Sequence, residues 1–257
     1  MTVATAAITV LPLATVPDSF YHQYLNCGPA MTEALPALTH SELQQNKDFS
    51  WVWPKARAEQ QRWTSNLSRD PREPDPSTLT QGPAMALTAY TMKDMYEEFN
   101  AAVCEAGRSH QQYQDNFHFK MLHFLLTNAL GRLRDSRGQG CHNVFQGMRG
   151  IWFEAWPGGL VQFSQFMVTS LSEKVAQDYG NFLLFQVHMC HGVDIQKFSY
   201  NQSEKEALIL PFETFEVTKV TWEGKKVQIV LHSTRNFSNY KWEWLQGDVM
   251  GTTWGDG

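Results

Sequence analysis

Hydrophobic spacing changes once along this chain, near residue 140, and that change limits the fold more than any other feature. Before it, apolar residues recur at helical intervals. From Phe117 to about Arg134, Leu122, Leu125, Leu126, Ala129 and Leu133 share one helical face, and Phe117, Met121 and Phe124 widen the stripe. Pro29 to about Lys47 and Pro54 to Asn66 also read as helices, with a bend at Pro36. A further helix over "KDMYEEFNAAVCEAG" ends at Gly107. "DPREPDPST" is a proline and charge loop, and Ala84–Thr91 reads as a short buried strand. After the change, short aromatic and β-branched runs alternate with turns: "HNVFQG", "IWFEAW", "LVQFSQFM", "FLLFQVHM", "ALIL", "FETFEVTKV" and "KVQIVLH". One helix interrupts them, opened by a predicted capping box at Ser170 and Glu173. Helices first and strands after predict an α+β fold with a largely antiparallel sheet.

The chain has 257 residues and no internal repeat, which suits one domain with a generous core. A formal charge of -5 without a basic stripe argues against nucleic acid. No apolar run approaches the ~20 residues of a membrane span. The first residues are apolar, but Pro12 and the lack of a basic start make them at best an atypical secretion signal; residues 1–17 are expected to be poorly ordered. The last segment, "GTTWGDG", is not apolar, and a lipid-anchor signal is not expected from it. Cys27, Cys104, Cys141 and Cys190 show no metal-ligand spacing and leave room for one or two disulfides. Sequons stand at Asn66, Asn201 and Asn236. Together with the cysteines they point to a secreted or extracellular protein.

The candidate chemistry lies in "SEKEALILPFETFEV", where Glu204 and Glu206 precede an apolar run. In an extended chain residues two apart face one way. Paired carboxylates suit chemistry at a sugar carbon, one stabilising an oxocarbenium-like centre and one handling a proton. The same pair also serves as gatekeeper charges on a strand end. A glycosidase is disfavoured, because its two carboxylates flank the bond they break. Phosphate-binding glycine motifs and a nucleophile elbow are missing. His123 reads as a core histidine, and His142 has no evident catalytic partner.

"SFYHQYLNC", "FNAAVCEAGRS", "FHFKMLHFLLTNAL", "CHNVFQG", "SEKEALILPFETFEV" and "STRNFSNY" follow one another as in vertebrate arginine-specific mono-ADP-ribosyltransferases, which the chain resembles from about residue 18 to 247. The resemblance implies an ADP-ribosyltransferase fold: an N-terminal helical part on a two-sheet, largely antiparallel β core with an NAD cleft, followed by a tail over 248–257. It implies a transferase that moves ADP-ribose from NAD(P) to an arginine-bearing protein, without a metal and as a monomer. In that family Glu206 would hold the nicotinamide ribose, and Glu204 would orient the acceptor guanidinium. Two further family motifs are altered. Gln146 replaces the arginine of V-[FY]-R-G, and Val168 replaces the first serine of F-x-S-x-S, of which Ser170 remains. Tyr90, Gln165 and Ser199 match residues the family uses around NAD. Arg149 is a candidate replacement for the missing charge. The resemblance also implies a Cys141–Cys190 bridge and leaves Cys27 without its usual partner, since Trp242 stands there. These departures support the competing reading, a catalytically silent binding domain.

Overall fold

The computed structural model describes residues 9–12, 24, 28–66, 79–106, 108–137, 140–149, 151–163, 165–211 and 213–236. In chain order β1 (Thr9–Pro12) comes first, followed by the helices α1 (Gly28–Gln45), α2 (Lys47–Asn66), α3 (Gln81–Thr91), α4 (Lys93–Ala106), α5 (His110–Asn116) and α6 (Lys120–Arg137). The strand-rich part then runs β2 (His142–Met148), β3 (Ile151–Glu154), β4 (Leu160–Gln162), β5 (Met167–Ser170), α7 (Glu173–Tyr179), β6 (Leu183–Met189), β7 (Val193–Asp194), β8 (Glu206–Ile209), β9 (Glu213–Glu223) and β10 (Lys226–Asn236). Two compact units result: one gathers α1–α6 with residues 198–200, the other gathers the strands and α7.

In the helical unit the boundaries have local causes. Asn46 separates α1 from α2, and its Oδ1 accepts from the Phe49 amide at 2.8 Å, an N-cap. Helix α2 therefore starts earlier than Pro54 suggested and runs through that proline. The buried Glu42 carboxylate accepts from the Met121 amide at 3.1 Å, placing negative charge at the start of α6. His123 is a core histidine, its Nδ1 2.9 Å from the Tyr24 hydroxyl. The strand expected over Ala84–Thr91 is wrong: this stretch is helical, within α3. Every residue from Pro83 to Tyr90 is buried, so the helix reads as an unbroken apolar run without amphipathic period.

The other unit contains an eight-stranded sheet in the order β4-β9-β10-β6-β2-β5-β8-β7, and a two-stranded sheet of β1 and β3. Pairing is antiparallel except for β10–β6 and β1–β3. Strand β6 alternates as a half-buried strand should: Leu183, Phe185, Val187 and Met189 are buried, and the residues between them less so. Val144, Phe215, Ile229 and Leu231 complete the same core. Strand β2 pairs with β6 along its whole length, but with β5 only at Phe145 and Ser170. Cys141 and Cys190, just outside the ends of β2 and β6, form the disulfide. Cys104 is half-buried on α4, while Cys27 and Trp242 lie outside the described residues.

Helix α7 packs on β2 at extreme proximity. A Cβ on Gly147 would stand 2.0 Å from the Ala176 carbonyl oxygen and 2.2 Å from that of Gly180. A Cβ on Gly180 would stand 2.3 Å from the Met148 carbonyl carbon. Only glycine fits both positions. The predicted capping box is also corrected. Ser172, not Ser170, is the N-cap residue of α7, and Ser170 ends β5 instead.

Candidate active site

Glu206 opens β8 and is 6% exposed. It stands directly opposite Ser170 on β5, and its carbonyl accepts from the Ile195 amide at 2.9 Å. Glu204 is not in the strand, contrary to the extended geometry expected from sequence. It ends a 3-10 turn over Gln202–Glu204 and is half-buried. Lys205 between them adopts the left-handed conformation, φ 50° and ψ 47°. For a residue with a side chain this costs about 1 kcal/mol or more. The strained residue turns the chain from an exposed loop into a buried strand within one step. One glutamate is thereby left at the surface layer and the other beneath it.

Ser170 holds this turn. Its hydroxyl donates to the Glu204 carbonyl at 2.8 Å and accepts from the Ser172 amide at 3.1 Å. The Leu171 amide donates to the Lys205 carbonyl at 3.0 Å. The Glu204 carboxylate accepts from Asn201 Nδ2 at 2.7 Å. Val168 lies two pairs further along β5, opposite Leu208, and its side chain offers no polar atom. Gln146 follows Phe145 on β2 and is half-buried opposite Phe185. Gln165 lies half-buried in the loop that leads into β5. Arg149 points the other way: its Nη2 donates to the Asp178 carbonyl at 2.6 Å, at the end of α7. It stands one residue past the end of β2, three residues after Gln146.

Two sequence candidates belong to the helical unit. Tyr90 is fully buried in α3, its hydroxyl 3.1 Å from Asn100 Nδ2 and its ring against Tyr96 and Phe99. It is a core aromatic. Ser199 is buried in the segment that Thr88 and Thr91 tie to α3, through the Phe198 carbonyl at 3.2 Å and the Tyr200 amide at 2.9 Å.

Sequence reasoning missed Tyr179. It ends α7, and its hydroxyl hydrogen-bonds Glu204. Partial burial of the hydroxyl, that bond, and the charges of Glu204 and Glu206 push its pKa well above the ordinary tyrosine value. One phenol thus senses both carboxylates, although the residue is 43% exposed. Sequence reasoning also missed Glu213, a fully buried carboxylate at the start of β9. It accepts from the amides of Cys190, His191 and Gly192 at 2.6, 3.0 and 3.1 Å, which fixes the loop after the disulfide. His188 lies close to both bridge sulfurs, but disulfide-bonded sulfurs are not thiolate ligands. A polar depression lined by Glu173, Gln177, Asn181, Thr221 and Lys226 shares no residue with the glutamate site.

The assembled features are a buried carboxylate, a half-buried carboxylate one turn away, and a serine clamp between them. The family model described as NAD:arginine ADP-ribosyltransferase matches residues 13–239. The chain belongs to this family. Among curated ADP-ribosyltransferases, NAD(P)(+)--arginine ADP-ribosyltransferase 2 of Gallus gallus is 40% identical over 252 residues, 98% of this chain and 78% of the relative. GPI-linked NAD(P)(+)--arginine ADP-ribosyltransferase 1 of Mus musculus is 39% identical over 241 residues, 91% of this chain and 74% of the relative. Among solved structures, the eucaryotic mono-ADP-ribosyltransferase ART2.2 superposes with a TM-score of 0.72 at 32% identity, covering 91% of this chain and 98% of that one. A variant of ART2.2 solved in complex with NAD gives 0.71 at 30% identity, with the same coverage. The α+β fold is therefore the ADP-ribosyltransferase fold.

Proposed function

We infer that this chain transfers ADP-ribose from NAD(P) to an arginine side chain of a target protein and releases nicotinamide. The carrying observation is Glu206, a carboxylate 6% exposed at the first residue of β8, with Glu204 one strained residue before it. In this reading Glu206 holds the 2′-hydroxyl of the nicotinamide ribose and stabilises positive charge as the bond to nicotinamide lengthens. A desolvated carboxylate favours a developing cation more than the neutral ground state. Glu204 meets the planar guanidinium in charge-assisted geometry and helps remove its proton. Ser170 serves by holding the turn that sets the two apart. Water replacing arginine gives NAD hydrolysis as the side reaction. Residues 18–247 act as one catalytic domain and as a monomer. The GPI-linked mouse relative supports an extracellular setting. Among the described residues no helix is long and apolar enough to cross a membrane.

The residues fit the ribose and acceptor ends of the substrate better than its pyrophosphate. Gln146 brings a hydrogen bond but no charge. Loss of a charged hydrogen bond costs roughly 1.5–3 kcal/mol, or about 10- to 100-fold in affinity. Val168 adds an apolar surface where the family has a hydroxyl. Arg149 is held at the end of α7 and does not compensate. These features favour a second reading, a silent domain that keeps the fold for binding.

Incubation with labelled NAD and agmatine or poly-arginine, beside Glu206→Gln, separates the two. Transfer above that variant supports the enzyme. Silence at high NAD supports the binding domain. The double variant Gln146→Arg/Val168→Ser is expected to tighten NAD binding; unchanged affinity would count against this placement of the substrate.

A further inference from the structure

We propose that Asn201 is an N-glycosylation site whose first sugar stands against Glu204 and screens it from protein acceptors. Asn201-Gln202-Ser203 is a sequon, and all three residues are exposed. The Ser203 hydroxyl donates to Asn201 Oδ1 at 2.7 Å, and the Ser203 amide to the same oxygen at 3.3 Å. The side-chain nitrogen therefore points away from the turn, and it donates to Glu204 Oε1 at 2.7 Å. The atom that takes the sugar is thus the atom that touches the carboxylate. The Asn66 and Asn236 sequons run beyond the described residues, so the placement argument applies to Asn201.

The covalent step balances with a polyprenyl-pyrophosphate-linked oligosaccharide as co-reactant. Asn201 Nδ2 bonds to C1 of the terminal sugar, the C1–oxygen bond to pyrophosphate breaks, Nδ2 loses one proton, and the lipid pyrophosphate leaves. The new C1 lies about 1.5 Å from Nδ2. Whichever hydrogen is replaced, the sugar ring is in contact range of Glu204. Glu206, buried beneath, is not reached by the same group. The consequence for acceptors rests on the proposed function: a sugar over Glu204 would block a protein-borne arginine while leaving NAD hydrolysis at Glu206 in place.

The test uses the full chain, secreted from cells that N-glycosylate, beside Ser203→Ala. That variant removes the sequon but keeps Asn201 and the backbone amide at position 203 that donates to its Oδ1. Enzymatic release of the glycan should convert Asn201 to aspartate in the tryptic peptide over residues 198–205. Carbodiimide with glycine ethyl ester, applied to the folded protein before glycan release, should label Glu204 several-fold less in the glycosylated form. Transfer to a protein acceptor should fall at least about tenfold against Ser203→Ala, with NAD hydrolysis within about twofold. An unmodified Asn201, equal labelling of Glu204, or equal and measurable transfer by the two forms overturns the proposal. Occupancy with screened Glu204 supports it even if neither form transfers ADP-ribose; that silence would count against the proposed function alone.

Discussion

Replacing Gly147 with alanine tests the closest backbone approach in the sheet unit. The added methyl would lie 2.0 Å from the Ala176 oxygen and 2.2 Å from the Gly180 oxygen. An ordinary carbon–oxygen contact is about 3.3 Å, so each carbonyl must retreat by more than about 1 Å. Both atoms are backbone, and no side-chain rotation relieves them. Helix α7 must therefore move as a body or β2 must bend. Overpacking typically costs about 1–3 kcal/mol, and this site should lie at the upper end. For a chain of this size, ~3 kcal/mol lowers the melting temperature by roughly 6–12 °C. Thermal unfolding followed by circular dichroism measures it. Gly180→Ala strains the same interface from the other side. The double variant should therefore lose less than the sum of the singles, with a coupling of about 1 kcal/mol or more. Melting of Gly147→Ala within about 2 °C of the parent, or full additivity, would refute the reasoning.

Glu213→Ala leaves three backbone amides without their carboxylate and should cost about 3 kcal/mol or more in urea unfolding, with Glu213→Gln recovering part of it. Replacing Cys141 and Cys190 by alanine opens a loop of 49 residues' separation and should lower stability by about 4 kcal/mol, read by the same melts. Tyr179 has a raised folded pKa, so it binds its proton more tightly folded than unfolded. Its contribution to stability is complete below the unfolded value of about 10 and declines as pH rises beyond it. Melts between about pH 8 and 11 should therefore fall more steeply for the parent than for Tyr179→Phe; parallel curves would show that the phenol is not coupled to the carboxylates.

Periodicity reveals elements with one wet face. It finds the alternating strands β6 and β10, which bury one side only, and α6 through its second half, where Arg132, Asp135 and Ser136 are exposed although Lys120 to Leu126 are all buried. It fails at α3, where burial on every side erases the helical signal. The same limit explains Ser170, whose capping spacing is real in sequence but whose hydroxyl is engaged by the Glu204 turn. The two glutamates are visible as a pair, and the family resemblance gives them a role. Their separation in depth depends on the left-handed Lys205, which a lysine codon does not announce. Tyr179 and Glu213 escape for another reason. Each meets its partners across more than twenty residues of chain, through the α7–β2 approach and the disulfide loop. The replacements at positions 146 and 168 are plain in sequence; that Arg149 faces α7 needed coordinates.

The lone pairing of Phe145 with Ser170 interrupts an otherwise continuous hydrogen-bond ladder. Strands β5, β8 and β7 thus form a small leaf joined to the rest of the sheet at one residue pair, and the disulfide bridges strands of the larger leaf. Breathing of that leaf breaks few backbone bonds, so its amides should exchange at a lower free energy than those of β6 or β10. Glu206 and the turn that carries Glu204 stand on that leaf, so such opening would change their distance from β2, and a molecule bound between them would set that distance by its own dimensions.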